Sequence, residues 1–378
     1  MLLYITGSYP DNQEGIAAGA KVLLDAMVNN VGSSKILLLT TDVPVIADNI
    51  SKNSSVEYKL FKNWKLSLNN IKEFFKILKQ YPITCIHMEY PGDLYGKTFF
   101  ASFLPLITRV FNLIYKKKVT FNVRLHEFSH SRFLRKLAIM PILLGANRIY
   151  VPSLKDRKMV SKLSFKKAFT TTIGTNIEVV SNSLVESDFV TVSYFGSVYP
   201  GKGIERMLKI WKQIHDNDDE NRFRFKIIGD VGVNQDNHFL EYHKSVWKVI
   251  DDYNLKNVIE VTGYLSDSEV SREIQHSQVA TLLYEDGLTL RRGSFLAYLA
   301  HGIPIVTTHG DEESCSIFDN HDGVVMANND NDVVDAVFKF ANFSIADREK
   351  IRTDNIDLSK FFNWDDIAKK FLKDYGMI

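Results

Sequence analysis

The sequence predicts an α/β protein made of two successive doubly wound domains, each with a parallel sheet. Short apolar or β-branched runs alternate with segments long enough for helices, the pattern of a parallel sheet covered on both faces. The alternation is interrupted by the polar, linker-like stretch "VSNSLVESD" after Val179 and then begins again. A chain of 378 residues has room for two domains of about 150 residues each.

The chain opens with "MLLYITGSYP", a strand-like run broken by Gly7 and Pro10, and "GIAAGAKVLLDAMVNNV" follows with small and apolar residues at helical spacing. Further strands are expected in "KILLLTT" from Lys35, "TCIHMEY" from Thr84, "KVTFNVRLHEF" from Lys118 and "RIYVPS" from Arg148. The second series runs through "FVTVSYFG" from Phe189, "FRFKIIGD" from Phe223, "NVIEVTGYL" from Asn257, "VATLLY" from Val279 and "IPIVTT" from Ile303. The expected division is a first domain over 1–180, a second over 181–358, and a C-terminal segment over 359–378. In that last segment Trp364, Ile367, Phe371 and Leu372 share one helical face, so an amphipathic helix is expected to cross back onto the first domain.

With 45% hydrophobic and 24% charged residues, the chain can bury its cores without covalent staples. Cys85 and Cys315 are too far apart in sequence to form a disulfide framework, and the opening residues lack the marks of a secretory signal. A reducing cytoplasm is the expected setting. The net charge of +1 hides an asymmetry: residues 1–180 carry +13 and residues 181–378 carry −12. A basic half concentrates anions such as nucleic acid, an anionic membrane surface or a phosphorylated ligand. Its clusters are Lys116 to Lys118, Arg132 with Arg135 and Lys136, and the run from Lys155 to Lys167, each of which also fits a solvated face. Aromatic residues do not interleave with them in a recognised module, which argues against nucleic acid. The most apolar stretch, "FFASFLPLITRVFNLIY" from Phe99, is interrupted by Ser102, Pro105, Arg109 and Asn112. It falls short of the ~20 apolar residues of a membrane span and reads as a buried or partly interfacial helix.

Parallel sheets bind ligands at the carboxyl ends of their strands, so four strand-to-helix junctions are candidates. In "GSYPDNQEGIAAG", Gly15 at a helix start can turn free amides toward an anion, although glycines in such turns are as often structural. In "YFGSVYPGKGIERML", a short loop delivers Lys202 ahead of a helix, where its charge suits a phosphate. In "YEDGLTLRRGSFLAYLAHGIPIVTT", a helix beginning within Leu290, Arg291, Arg292, Gly293 and Ser294 would offer its amides and dipole, with two arginines, to a diphosphate. The alternative there is one arginine paired with Asp286 and the other in solvent. In "RLHEFSH", His126 and Glu127 can shuttle protons or bind a ligand hydroxyl, but with His130 they lack a further ligand at metal spacing. His87, which ends another strand, reads as structural before catalytic.

This order of motifs resembles the retaining GT-B glycosyltransferases of family 4 over nearly the whole chain, most specifically from Val192 to Thr308. The resemblance implies two Rossmann-like domains facing across a cleft, with a nucleotide-sugar donor on the second and an acceptor on the first. Positive groups and a helix dipole are implied in place of a metal ion, so neither metal nor cofactor is expected, and "DNDDE" near Asp216 reads as a solvated loop. Lys202 falls on the family's diphosphate-binding lysine. Ser197 stands where the family usually has an arginine, a loss that Arg291 and Arg292 would make good. The family's pair of glutamates is replaced by Thr289 and Ala297, with Asp286 available for part of their contact to the donor sugar or ribose. Gly15 and Ile16 match the loop that approaches the phosphates, His126 the histidine near the donor sugar, and Tyr264 the place of the nucleobase. Arg124 and Glu127 fall on the acceptor side.

The implied reaction is retaining transfer from a nucleotide diphosphate-sugar to a glycan or lipid-diphosphate-linked acceptor, as in bacterial surface polysaccharide synthesis. A UDP-sugar is favoured and a GDP-sugar is the other option. The basic first domain would then dock on an anionic membrane, at the inner face of the plasma membrane. Two alternatives use the same cleft: a sugar-nucleotide epimerase, and a non-catalytic partner subunit marked by the missing glutamates.

Overall fold

The computed structural model describes residues 1–7, 15–32, 35–41, 56–61, 63–90, 95–96, 98–126, 128–129, 131–164, 168–180, 187–232 and 239–378. The chain divides into two compact units, Met1–Gly174 with Trp364–Ile378, and Thr175–Asn363.

The first unit holds a parallel sheet of β1 (Leu2–Ile5), β2 (Ile36–Thr40), β3 (Val56–Leu60), β4 (Cys85–Tyr90), β5 (Thr120–Leu125), β6 (Arg148–Val151) and β7 (Ala168–Thr170). Their order is β3-β2-β1-β4-β5-β6-β7, so the strand order reverses between β1 and β4, where such sheets bind ligands. Alternation along β1 sends Leu3 and Ile5 to one face and Leu2 and Tyr4 to the other. The first face lies under α2 (Leu68–Gln80), α3 (Phe100–Tyr115), α4 (Phe133–Gly145) and α5 (Leu154–Ser164). The second lies under α1 (Gly15–Asn30) and a helix from the far end of the chain.

The second unit repeats the design in six parallel strands: β8 (Val190–Phe195), β9 (Phe223–Ile228), β10 (Ile259–Val261), β11 (Val279–Leu282), β12 (Ile305–Thr308) and β13 (Val324–Ala327). The order is β10-β9-β8-β11-β12-β13, which puts the reversal between β8 and β11. Its helices are α6 (Ile204–Asp216), α7 (Leu240–Asp252), α8 (Asp267–Gln275), α9 (Gly293–Ala300), α10 (Glu312–Phe318), α11 (Asp330–Ala341) and α12 (Ile345–Ser359). Among the described residues no helix is long and apolar enough to cross a membrane.

Every strand read from the sequence is present. The structure adds β3, β7 and β13, each at the edge of its sheet. An edge strand such as "VEYKL" in β3 is only partly covered and carries polar residues, so it shows no continuous apolar run.

The units divide at 174/175 and 363/364, against the expected 180/181 and 358/359. Val180 already donates its amide to Ser271 Oγ at 3.0 Å within the second unit. At the other end a short 3₁₀ turn, Lys360–Phe362, follows α12 and buries Phe362. The last helix, α13 (Trp364–Asp374), belongs to the first unit: Trp364, Ile367, Phe371 and Leu372 join a core with Leu23, Leu24 and Met27 of α1. Gly174 lies so close to the Trp364 ring that an added Cβ would come within 2.6 Å of it.

Candidate functional site

In the second unit, the loops leaving β8 and β11 are pressed together where the strand order reverses. Gly203 caps α6 with a left-handed φ of 71°, and a Cβ there would lie 1.8 Å from the Leu283 carbonyl oxygen. Glycine is therefore required for the close approach. Lys202 is brought to the same place, its Nζ 4.7 Å from the Tyr199 ring centroid and 6.0 Å from that of Tyr284. The Arg292 guanidinium lies 4.3 Å from the Tyr284 centroid, so two cations converge on one ring.

Tyr284 is buried, and its hydroxyl lies 2.7 Å from Ser294 Oγ. Burial pushes the phenol up to about 12 against the opposing pull of Ser294 and Arg292, so it remains a neutral hydrogen-bonding group at neutral pH. Arg292 also pairs with the Asp286 carboxylate, which is the alternative noted for one of the two arginines. Its buried Nε–H nonetheless has no acceptor among the described residues. An unfilled buried donor is costly, and an anion would fill it.

The helix behind these charges starts later than a first turn spanning Leu290 to Ser294. The Arg292 amide closes a turn onto the Thr289 carbonyl at 3.2 Å, α9 begins at Gly293, and Leu296 makes its first intrahelical bond to Arg292 O at 3.0 Å. Leu290 is buried ahead of the helix, and Arg291 is half-buried beside it. The open terminal amides are thus those of Gly293 and Ser294, while that of Phe295 is turned to the Tyr284 hydroxyl. Gly293 is exposed with open space around its Cα, so a ligand can approach the backbone.

The other expected donor contacts are more dispersed. Ser197 is exposed, and its carbonyl accepts from the Tyr194 hydroxyl at 3.1 Å. Thr289 is half-buried, Ala297 is completely buried, and Tyr264 is 62% exposed on the loop after edge strand β10. A set that could hold a metal ion, His309, Cys315 and Asp319, follows β12 with its ligand atoms within 4.8 Å of one another.

The first unit has a separate polar cluster at the carboxyl ends of β4 and β5. Glu89 is completely buried. Its Oε1 accepts from His87 Nε2 at 2.8 Å, Tyr4 OH at 3.3 Å and Arg124 Nη1 at 3.5 Å, and its Oε2 accepts from His126 Nε2 at 2.5 Å. Register accounts for the convergence, since β1 pairs Tyr4 with His87 and β5 pairs Arg124 with Glu89. Burial works to raise the Glu89 pKa, but the Arg124 charge and the two histidine hydrogen bonds outweigh it and hold the carboxyl well below its ordinary range. Burial dominates at His87 and lowers its pKa. A neutral His87 that donates from Nε2 accepts at Nδ1 from the Tyr375 hydroxyl, 2.6 Å away beyond α13.

His126 is held by its Nε2 and keeps partial exposure, 15% of its side chain. Arg124, expected on the acceptor side, is buried with Glu89, donates to the Thr172 carbonyl at 3.2 Å and lies over Trp364. His87, read from the sequence as ending a strand, lies inside β4 and is completely buried. Gly15 begins α1, while the loop before it, the Ile16 side chain, Glu127 and His130 lie outside the described residues.

Sequence reasoning missed Glu89 and Tyr284. The signal for Glu89 was the spacing His87-x-Glu89, which puts two polar groups on one face of a buried strand. Tyr284 lay within a quoted motif, but its role depends on Lys202, some eighty positions away in the chain.

Residues 190–342 match the family described as "Glycosyl transferases group 1". Solved structures match the chain from end to end at low identity. A glycosyltransferase from Rickettsia africae superposes with a TM-score of 0.74 at 13% identity, over 99% of this chain and 97% of that one. The HepE protein of Anabaena, in complex with UDP, gives 0.73 at 12% identity over 100% of both chains. The lipopolysaccharide outer core galactosyltransferase WaaB, in its apo form, gives 0.63 at 12% identity over 98% of this chain and 100% of that one. No curated protein matches the sequence significantly. The chain therefore has the GT-B fold of these structures, two parallel-sheet α/β domains, and residues 190–342 of its second unit are similar to the glycosyl transferases group 1 family.

Proposed function

We propose that the protein is a retaining hexosyltransferase of the family 4 type, taking its sugar from a nucleoside diphosphate-sugar. The observation that carries this reading is the meeting of Lys202 and Arg292 on the Tyr284 ring, beside the open amides of α9. Two cations and a helix N-terminus at one point form a site for a diphosphate. HepE, which shares the fold, binds UDP and UDP-glucose in its structures, and this favours a UDP-sugar as donor.

The acceptor hydroxyl attacks the anomeric carbon on the face the nucleotide leaves. As the bond to the diphosphate oxygen breaks, that oxygen keeps the electron pair, negative charge grows on the leaving group, and the leaving phosphate takes up the proton that the acceptor hydroxyl gives up. Lys202, Arg292, Arg291 and the Gly293 and Ser294 amides stabilise the growing charge without a metal ion. His126, with Nε2 committed to Glu89, orients the donor sugar rather than acting as nucleophile. Ser197, Asp286 and Thr289 border the phosphates and sugar, Tyr264 stacks on the base, and Gly15 with Ile16 approach the phosphates. The acceptor is a glycan or lipid-diphosphate-linked saccharide of a bacterial surface polysaccharide.

The test is turnover of UDP-sugars with such acceptors in the presence of a chelator, with proton NMR of the product's anomeric configuration. Retained configuration and chelator-resistant turnover support the reading. Inversion, or a loss of rate restored by a divalent ion, contradicts it. Lys202→Ala should lower kcat by roughly 10²–10³-fold, as expected for losing a main stabiliser of transition-state charge.

A further inference from the structure

We infer that His309, Cys315 and Asp319 form a site for one divalent metal ion of the zinc class. This goes beyond the sugar-transfer reading and does not depend on it, because none of the three is a residue proposed to hold the donor, and metal binding requires no nucleotide.

The three side chains are brought together by backbone that is itself held in place. At the exit of β12 the His309 amide donates to the Ala327 carbonyl of β13 at 3.1 Å, so the histidine continues the strand ladder. The chain turns through Gly310, and Asp311 caps α10 by accepting from the Ser314 amide at 2.9 Å. Within that helix the Cys315 amide donates to the Asp311 carbonyl at 2.9 Å and the Asp319 amide to the Cys315 carbonyl at 3.0 Å. Cys315 and Asp319 are therefore one helical turn apart on the same face. That face meets His309: Cys315 Sγ lies 3.7 Å from both ring nitrogens, and ligand atoms of all three residues lie within 4.8 Å of one another. Four-coordinate zinc with bonds of about 2.0–2.3 Å holds its ligand atoms roughly 3.3–3.7 Å apart, so rotation about side-chain bonds is enough to bring the three onto one ion.

Two further observations point to a cation and give its class. Among the described residues, neither the His309 ring nor the Asp319 carboxylate hydrogen-bonds or ion-pairs with a group outside the set, so their ligand atoms are available. Residues 309–319 also hold four carboxylates, Asp311, Glu312, Glu313 and Asp319, and no Lys or Arg, a local field that draws cations. A thiolate, an imidazole and a carboxylate suit zinc and its transition-metal neighbours, whereas calcium and magnesium take oxygen ligands. On binding, the Cys315 thiol gives its proton to solvent, the thiolate takes the ion, and water fills the fourth position. The ion joins α10 to the exit of β12, which packs on the loop that carries Asp286. There the Asp311 amide donates to the Leu288 carbonyl at 3.0 Å, and a Cβ on Gly287 would lie 2.4 Å from the His309 carbonyl oxygen.

The test is titration of the untagged, chelator-treated protein with Co²⁺ and then Zn²⁺, without nucleotide, followed by absorption and calorimetry. One Co²⁺ per chain should bind and show the near-ultraviolet charge-transfer band of a cobalt–thiolate bond. Zn²⁺ should displace it and raise the melting temperature, and excess Mg²⁺ or Ca²⁺ should not compete. Cys315→Ser should abolish the band, and Cys315→Ser, His309→Gln and Asp319→Asn should each weaken Zn²⁺ binding by roughly 100-fold or more. His276→Asn, at an exposed histidine elsewhere in the second unit, should leave binding unchanged. Equal melting temperatures of the metal-free proteins would establish that the variants fold. No binding at micromolar Co²⁺ or Zn²⁺, a cobalt spectrum without the thiolate band, or full affinity in any of the three ligand variants would overturn the inference.

Discussion

Glu89 is a fully buried carboxylate whose charge is balanced by Arg124 and shared with two histidines. Glu89→Gln preserves the shape but leaves the Arg124 guanidinium buried without its counter-charge, and should cost about 3–5 kcal/mol, seen as a marked fall in melting temperature. The same cluster sets the response to acid. The folded-state pKa of Glu89 is depressed, so its stabilisation is complete above the ordinary value of 4.5 and is lost as the pH falls from there toward the lower folded value. His87 is also depressed, by burial, so the unfolded chain gains its proton first as the pH falls below 6.5. Stability measured by denaturant titration should therefore begin to decline below 6.5 and fall further below 4.5. His301 is depressed by burial as well and adds to the upper part of that decline, so a His87→Asn variant should reduce that part without abolishing it; an unchanged profile would place the titrating group elsewhere.

The loop from β8 to α6 depends on its glycines in different ways. Gly203 combines a left-handed φ with a backbone oxygen 1.8 Å from the place of a Cβ, whereas Gly201 has a φ of 92° and open space around it. Gly201→Ala should cost on the order of 1–2 kcal/mol from backbone strain, while Gly203→Ala should cost several or prevent folding. Similar costs from thermal unfolding of the two variants would contradict the close packing of Lys202's loop on the exit of β11. The C-terminal helix is equally integral to the first unit: Trp364→Ala should destabilise by about 3–5 kcal/mol, since the ring lies among the buried residues of α1 and α13.

Most of the architecture was legible because buried parallel strands are short continuous apolar runs, and ten of these are evident in the sequence. Edge strand β3 carries polar residues and β7 is only three residues long, so neither shows such a run, while β13 is an apolar run of only four. Lys202, Arg292 and His126 could be singled out because each stands where a strand gives way to a helix. Glu89 and Tyr284 could not, because their environments are assembled by strand register and by residues distant in the chain. Within the expected stretch from Leu290 to Ser294, the start of α9 at Gly293 is fixed by the turn that Arg292 closes onto Thr289, which the local pattern does not show.

The proposal of sugar transfer rests on one claim, that a nucleoside diphosphate binds at the N-terminus of α9 between Lys202 and Arg292. Thermal-shift titration with UDP, GDP, dTDP and ADP, on the wild type and on Lys202→Ala and Arg292→Ala, tests it directly. One diphosphate should stabilise the wild type selectively, and each variant should bind it roughly tenfold or more weakly, the usual consequence of losing a charge-assisted contact. Failure of every diphosphate to shift the wild type, or full binding by both variants, would contradict it.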